Sequence, residues 1–194
     1  QVIDTATNTI SATIGVGTQP LGITVSPNGT RVYVVNNLSN DVSVIDTATN
    51  TVVATINAGT SPTDVSVSPI DTKAYVTNFG SNDVSVIDTA TNTVASTIAV
   101  GTNPIGITVS PNGTKVYVVN NNGNSVSVID STTNTVAATI AVGTNPQGVA
   151  VSPNGTKVYI TSSVSNSVSV INTSDNSVTT VLGINDPWGL ALKP

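Results

Sequence analysis

Tyr33, Tyr75, Tyr117 and Tyr159 recur at a step of 42 residues, and the segments around them recur with them. Arg31, Lys73, Lys115 and Lys157 keep that step, as do Asp4, Asp46, Asp88, Asp130 and Asn172. A fixed period of this length marks an array of one supersecondary unit, whose copies bury apolar surface against one another. The 194 residues hold 194/42, about 4.6, such units. That is one domain rather than two.

Within the unit from Gly101 to Val142, Ile105 to Ser110 alternates apolar and small residues. Pro111-Asn112-Gly113-Thr114 then supplies a turn, and Asn-Gly between alternating runs is a strong hairpin signal. Lys115 to Asn120 makes a second strand, with Val116 and Val118 on one face and Tyr117 and Val119 on the other. Asn121 to Asn124 loops to a third strand, Ser125 to Asp130; Ser131 to Asn134 turns to a fourth, Thr135 to Val142. Nothing carries helical periodicity. Aromatics are only 3% of the chain, so Val, Ile, Ala and Thr must build the core, a β-rich palette.

These strands, A to D, form a four-stranded antiparallel meander that is apolar on both faces. A lone sheet wetted on both sides cannot offset the entropy of ordering it, so each must lie between neighbours. Twisted sheets stacked face to face around an axis make a β-propeller. A β-solenoid is the competing repeat fold, but its coils are shorter and lack tight Asn-Gly hairpins. The fold class expected is all-β, a propeller of four-stranded antiparallel blades.

Tyr75-Val76-Thr77-Asn78 is the signature of the YVTN β-propeller repeat, and Tyr33-Val34-Val35-Asn36 and Tyr117-Val118-Val119-Asn120 are near copies. Tyr159-Ile160-Thr161-Ser162 departs at its last residue. Val44 to Asn50 and Val109 to Lys115 also resemble that family. The resemblance covers the whole chain and implies kinship with the propellers of archaeal and bacterial surface-layer proteins, and with other secreted or periplasmic propellers.

The ends do not match. The chain opens on a truncated C strand, Gln1 to Asp4, and its D strand; four A–B–C–D sets follow. Trp188 to Leu192 reads as a lone A strand, one residue out of phase because Asn185-Asp186-Pro187 shortens the loop. Joining that A strand to the first C and D would leave a fifth blade without B. A larger propeller is the favoured reading, since seven such units need 7 × 42 = 294 residues. The alternatives are a five-bladed ring with a gap, or strand addition by another chain at the open ends.

Composition removes several functions. Five basic and ten acidic residues, all of the latter Asp, give a net charge of -5, so a nucleic-acid partner has no electrostatic footing. No apolar run approaches a membrane span. Cys, His, Glu and Met are absent, which removes thiol nucleophiles, imidazole bases and ligands, and the Glu of most acid/base pairs. No enzyme, cofactor or metal is expected. The Asp that ends each C strand is read as a turn former, accepting from backbone N–H groups. Asp41 and Asp83 are read as solvated loop residues.

A surface of neutral Thr, Ser and Asn points to an extracellular or cell-surface location. Asn-x-Ser/Thr acceptors start at Asn28, Asn37, Asn112, Asn154 and Asn172. Three of them also open the Asn-Gly turns, a sufficient structural reason for them.

In a propeller the D-to-A and B-to-C loops share the rim that holds ligands. The D-to-A loops end in Pro20, Pro62, Pro104, Pro146 and Pro187, followed by Leu21, Thr63, Ile105, Gln147 and Trp188. Asp64 stands where Gly22, Gly106 and Gly148 stand in other units, and the B-to-C loops carry Leu38, Phe79, Asn121 and Val164. Solitary aromatics on a polar rim can stack on a sugar or anchor a partner; Trp188 can equally plug the end of the array. The candidate ligand-binding residues are Asp64, Phe79, Asn121, Gln147 and Trp188. The reading is a non-enzymatic structural or adhesive surface module whose partners are itself, other surface proteins or glycans. A glycan- or small-molecule-binding rim is the alternative, and a propeller lactonase or lyase stands third.

Overall fold

The computed structural model describes residues 1–70 and 72–190, which form strands and turns and no helix. β1 (Val2–Asp4) and β2 (Thr9–Ala12) make a two-stranded sheet. Blade I is β3 (Pro20–Val25), β4 (Arg31–Asn36), β5 (Asp41–Asp46) and β6 (Thr51–Asn57). Blade II is β7 (Pro62–Val67), β8 (Lys73–Asn78), β9 (Asp83–Asp88) and β10 (Thr93–Ala99). Blade III is β11 (Pro104–Val109), β12 (Lys115–Asn120), β13 (Ser125–Asp130) and β14 (Thr135–Ala141). Blade IV is β15 (Pro146–Val151), β16 (Lys157–Ser162), β17 (Ser167–Asn172) and β18 (Val178–Leu182). Each is an antiparallel meander in chain order. The A strands β3, β7, β11 and β15 lie close to one another from blade to blade while the D strands diverge, which is the wedge of a propeller.

The core sits between blades. Tyr33, Val35, Val42, Val44 and Ile56 of blade I pack on Val65, Ala74, Val76 and Ile87 of blade II. Tyr75, Val84, Val86 and Ile98 repeat that contact on Ile107, Val116, Val118 and Ile129. Tyr117, Val119, Val126, Val128 and Ile140 repeat it on Val158, Ile160 and Ile171. Tyr117 and Val119 thus face the following blade, and Val116 and Val118 the preceding one, as the alternation along β12 requires.

The turns account for the polar composition. Asp46, Asp88 and Asp130 each accept two backbone N–H bonds from the C–D turn, at 2.8–3.1 Å. Left-handed φ near 50–60° recurs at Asn50, Asn92 and Asn134 in those turns and at Asn40, Asn82 and Asn124 in the B–C loops. Asn tolerates that region better than any other side chain save Gly.

The asparagines that end the B strands of blades I to III are structural. Asn78 and Asn120 are buried; each accepts from the N–H of Gly59 or Gly101 at 3.1 Å. Asn78 donates to Asp83 at 2.6 Å and to Ser85 at 2.9 Å, and Asn36 donates to Asp41 and Ser43 in the same way. Asp41 and Asp83 are therefore acceptors for a buried amide, not merely solvated loop residues; no local pattern reveals a partner five residues back across a loop.

After blade IV the repeat geometry persists through the phase slip. The Asp186 N–H donates to Asn166 at 2.9 Å, as the Asn145 N–H does to Asn124. Trp188–Leu190 run beside β15 where an A strand belongs, yet they form no strand, and no strand among the described residues pairs with them. The rest of the expected A strand, 191 and 192, lies outside the described residues.

Candidate functional site

The rim is built by the B–C and D–A loops, which pair through their backbones in every blade. Asn37, Phe79, Asn121 and Ser163 donate their N–H to the carbonyls of Gln19, Ser61, Asn103 and Asn145, at 3.0–3.1 Å. Leu38 and Gly80 make the next bond, to Thr18 and Thr60. The equivalent set is therefore Asn37, Phe79, Asn121 and Ser163, and Leu38 and Val164 stand one residue later than the sequence comparison placed them.

The rim amides bond to one another and to the chain. Asn37 donates to the Pro62 carbonyl at 3.0 Å and Asn121 to the Pro146 carbonyl at 2.9 Å, each tying one blade to the next. Asn145 donates to Asn121 at 3.1 Å and accepts from Gln147 at 2.6 Å and from the Ser163 hydroxyl at 2.7 Å. Asn103 donates to the Phe79 carbonyl at 3.0 Å and accepts from Asn122 at 2.7 Å. Asn121 and Gln147 are thus joined through Asn145, while Phe79 joins through Asn103. Asn103, Asn145 and Ser163 were missed as rim residues; the signal was an Asn repeated immediately before the loop proline.

Asp64 lies deeper. Its Oδ1 accepts the Val65 N–H at 2.8 Å and its Oδ2 the Ile107 N–H of blade III at 3.2 Å. Asp64 leaves no room for a side chain at Gly22, whose Cβ would sit 2.7 Å from the Asp64 Cα, while Gly106 is confined instead by the Gln147 carbonyl, 2.9 Å from its Cβ. Burial pushes the Asp64 carboxyl up to about 6, while the two N–H bonds pull it down in part.

Trp188 is 63% exposed, and its indole N–H donates to Asp186 at 2.9 Å. Its carbonyl accepts from the Thr161 hydroxyl at 3.1 Å, the place that the Ile105 carbonyl takes against Thr77. Leu38 and Val164 are also well exposed on this rim, at 65% and 66%. Among the described residues no group of three or more His, Cys, Asp or Glu side chains is placed to hold a metal ion. The arrangement offers exposed apolar contacts set in a lattice of neutral amides.

Residues 4–139 match the family described as "Lactonase, 7-bladed beta-propeller". Among solved structures, the fold resembles Kuenenia stuttgartiensis hydrazine synthase at 27% identity and a TM-score of 0.79, over 90% of this chain and 53% of that one. It also resembles a functionally unknown protein from Desulfotomaculum acetoxidans at 20% identity and a TM-score of 0.73, over 84% of this chain and 55% of that one. The chain spans about half the length of these two structures. No curated protein matches it. With more than two thirds of its length matched, and four described blades of the corresponding architecture, the chain belongs to the seven-bladed β-propeller lactonase family.

Proposed function

We propose that this chain is a non-enzymatic interaction module of the cell surface, related to the YVTN propellers and engaging partners through the B–C/D–A rim. The observation that carries the reading is the exposure of Leu38, Val164 and Trp188 among rim amides that bond to one another. Such a face resembles the contact surfaces of interfaces, with apolar and aromatic anchors in a neutral polar field. Its partners on this reading are other surface proteins, further copies of the chain, or glycans stacking on Trp188. The neutral Thr, Ser and Asn surface supports an extracellular location.

A second reading follows from the family's name. Burial between two blades pushes the Asp64 carboxyl up to about 6, near neutral pH. A lactonase would use such a group as a general base. Its two oxygens are engaged by backbone N–H groups, which favours the structural role.

The test combines a glycan array, light scattering and a lactone-hydrolysis assay on the purified chain. The interaction reading expects glycan binding or self-association that falls when Leu38 and Trp188 are replaced by Ala, with no lactone turnover. Turnover that is lost in Asp64→Asn would overturn it in favour of the enzyme.

A further inference from the structure

The Asn-Gly-Thr hairpins of blades III and IV use only one end of their asparagines, Asn112 and Asn154. Asn112 Oδ1 accepts from Ser110 Oγ at 2.7 Å, Thr114 Oγ1 at 2.9 Å and the Thr114 N–H at 3.2 Å. Asn154 Oδ1 does the same with Ser152 and Thr156, at 2.8, 2.8 and 3.1 Å. In a different turn, Asn172 Oδ1 accepts from the Ser174 N–H at 3.0 Å and from its hydroxyl at 2.9 Å. The turn-forming work belongs wholly to Oδ1. The Nδ2 groups of Asn112, Asn154 and Asn172 donate no hydrogen bond among the described residues, and all three side chains are exposed.

Asn37 heads a fourth Asn-x-Ser/Thr triplet and is arranged the opposite way. Its Nδ2 donates to the Pro62 carbonyl of the next blade at 3.0 Å, and the residue is half-buried. One of the two N–H groups on this nitrogen holds the blades together, so a sugar on the other would have to fit where the half-buried amide meets the next blade.

We propose that Asn112, Asn154 and Asn172 are acceptor sites for an N-linked glycan in the folded chain, and that Asn37 is excluded. The inference rests on the extracellular reading above, since that is where a chain meets a sugar transferase. Hydroxyl and N–H donors on Oδ1 draw electron density from the amide and make its Nδ2 protons more acidic. Nδ2 attacks the anomeric carbon of a sugar carried on a lipid diphosphate. The nitrogen–carbon bond forms, the carbon–oxygen bond to the diphosphate breaks, and the lipid diphosphate leaves with the electron pair. One Nδ2 proton passes to a base of the transferase. Asn112 and Asn154 lie on the A–B hairpins and Asn172 opens a C–D turn, and the two kinds of turn are joined by the Ser131 and Thr173 N–H bonds to Thr114 and Thr156. Glycans there would decorate the rim opposite the proposed contact face and leave that face clear.

The test incubates the folded full chain with a lipid-diphosphate oligosaccharide and an oligosaccharyl transferase of Asn-x-Ser/Thr specificity, followed by site-resolved mass spectrometry. Asn112, Asn154 and Asn172 gain the glycan mass and Asn37 does not; in a proteolytic digest of the chain Asn37 gains it too. Thr114→Val removes the increment at Asn112 while leaving Asn154 modified. Folded chain that takes no glycan, or that takes it at Asn37 as readily as at Asn112, overturns the proposal. The reaction is run in vitro, so failure of the surface-module reading leaves this result standing, and the converse holds.

Discussion

Asn78, the last residue of β8, shows how a polar side chain holds a blade together. Asn78 joins β8 to β9 and to the loop before β7, and all of its partners lie inside the fold. Asn78→Ala leaves buried groups unpaired and is expected to cost about 2–4 kcal/mol in urea unfolding. Asn36→Ala should cost less, because the Asn36 Oδ1 already lacks a partner. Asp64 makes a prediction in pH. Its carboxyl titrates near 6 in the fold against an ordinary 3.8, so the folded chain binds that proton more tightly than the unfolded one. The contribution is fully present below about 3.8 and is lost as pH rises through about 6. The difference amounts to about 3 kcal/mol. Melting curves of wild type and Asp64→Asn should diverge between pH 4 and 7, the variant lacking that loss; parallel curves would remove Asp64 from the interface. Asp46, Asp88 and Asp130 are shifted the other way by their turn bonds, so their stabilisation is lost only as pH falls below the ordinary carboxylate range.

At the scale of elements, strand order and hairpins were legible because they rest on local signals: alternation, Asn-Gly, and an Asp ahead of a turn. Gly113 at φ +74° closes the β11–β12 hairpin, and Gly113→Ala should destabilise the chain by about 1–2 kcal/mol through left-handed strain alone. The same change at Gly101 should cost more, since its Cβ would meet the Asn120 side chain at 2.5 Å. What stayed hidden were contacts between blades. Lys73 reaches the Ser131 carbonyl of blade III at 2.6 Å, and Lys115 repeats the reach to Thr173 at 3.0 Å, whereas Arg31 pairs with Asp46 of its own blade. The repeated basic residue is visible in sequence, but its target 58 positions on is set by the angle between sheets. The links among the rim residues stayed hidden for the same reason: Asn121 and Gln147 come together through Asn145, while Asp64 is tied to a backbone N–H of the next blade's A strand.

Across the whole molecule, the period of 42 residues carries most of the fold, because one face-to-face contact is repeated at each step. The faces at either end differ in covering, not in sequence. Ile23 is 65% exposed, while its counterparts Val65 and Ile107 are 4% and 6% exposed. Tyr75 is fully buried between blades II and III, whereas Tyr159, at the same place in the repeat, is only half-buried on blade IV. This pair isolates the claim that blades are stabilised by their neighbours. Urea unfolding of Tyr75→Ala and Tyr159→Ala measures it directly: the first should cost about 3–5 kcal/mol and the second well under half of that. Equal costs at the two positions would mean that each sheet is held together from within, and would contradict the account.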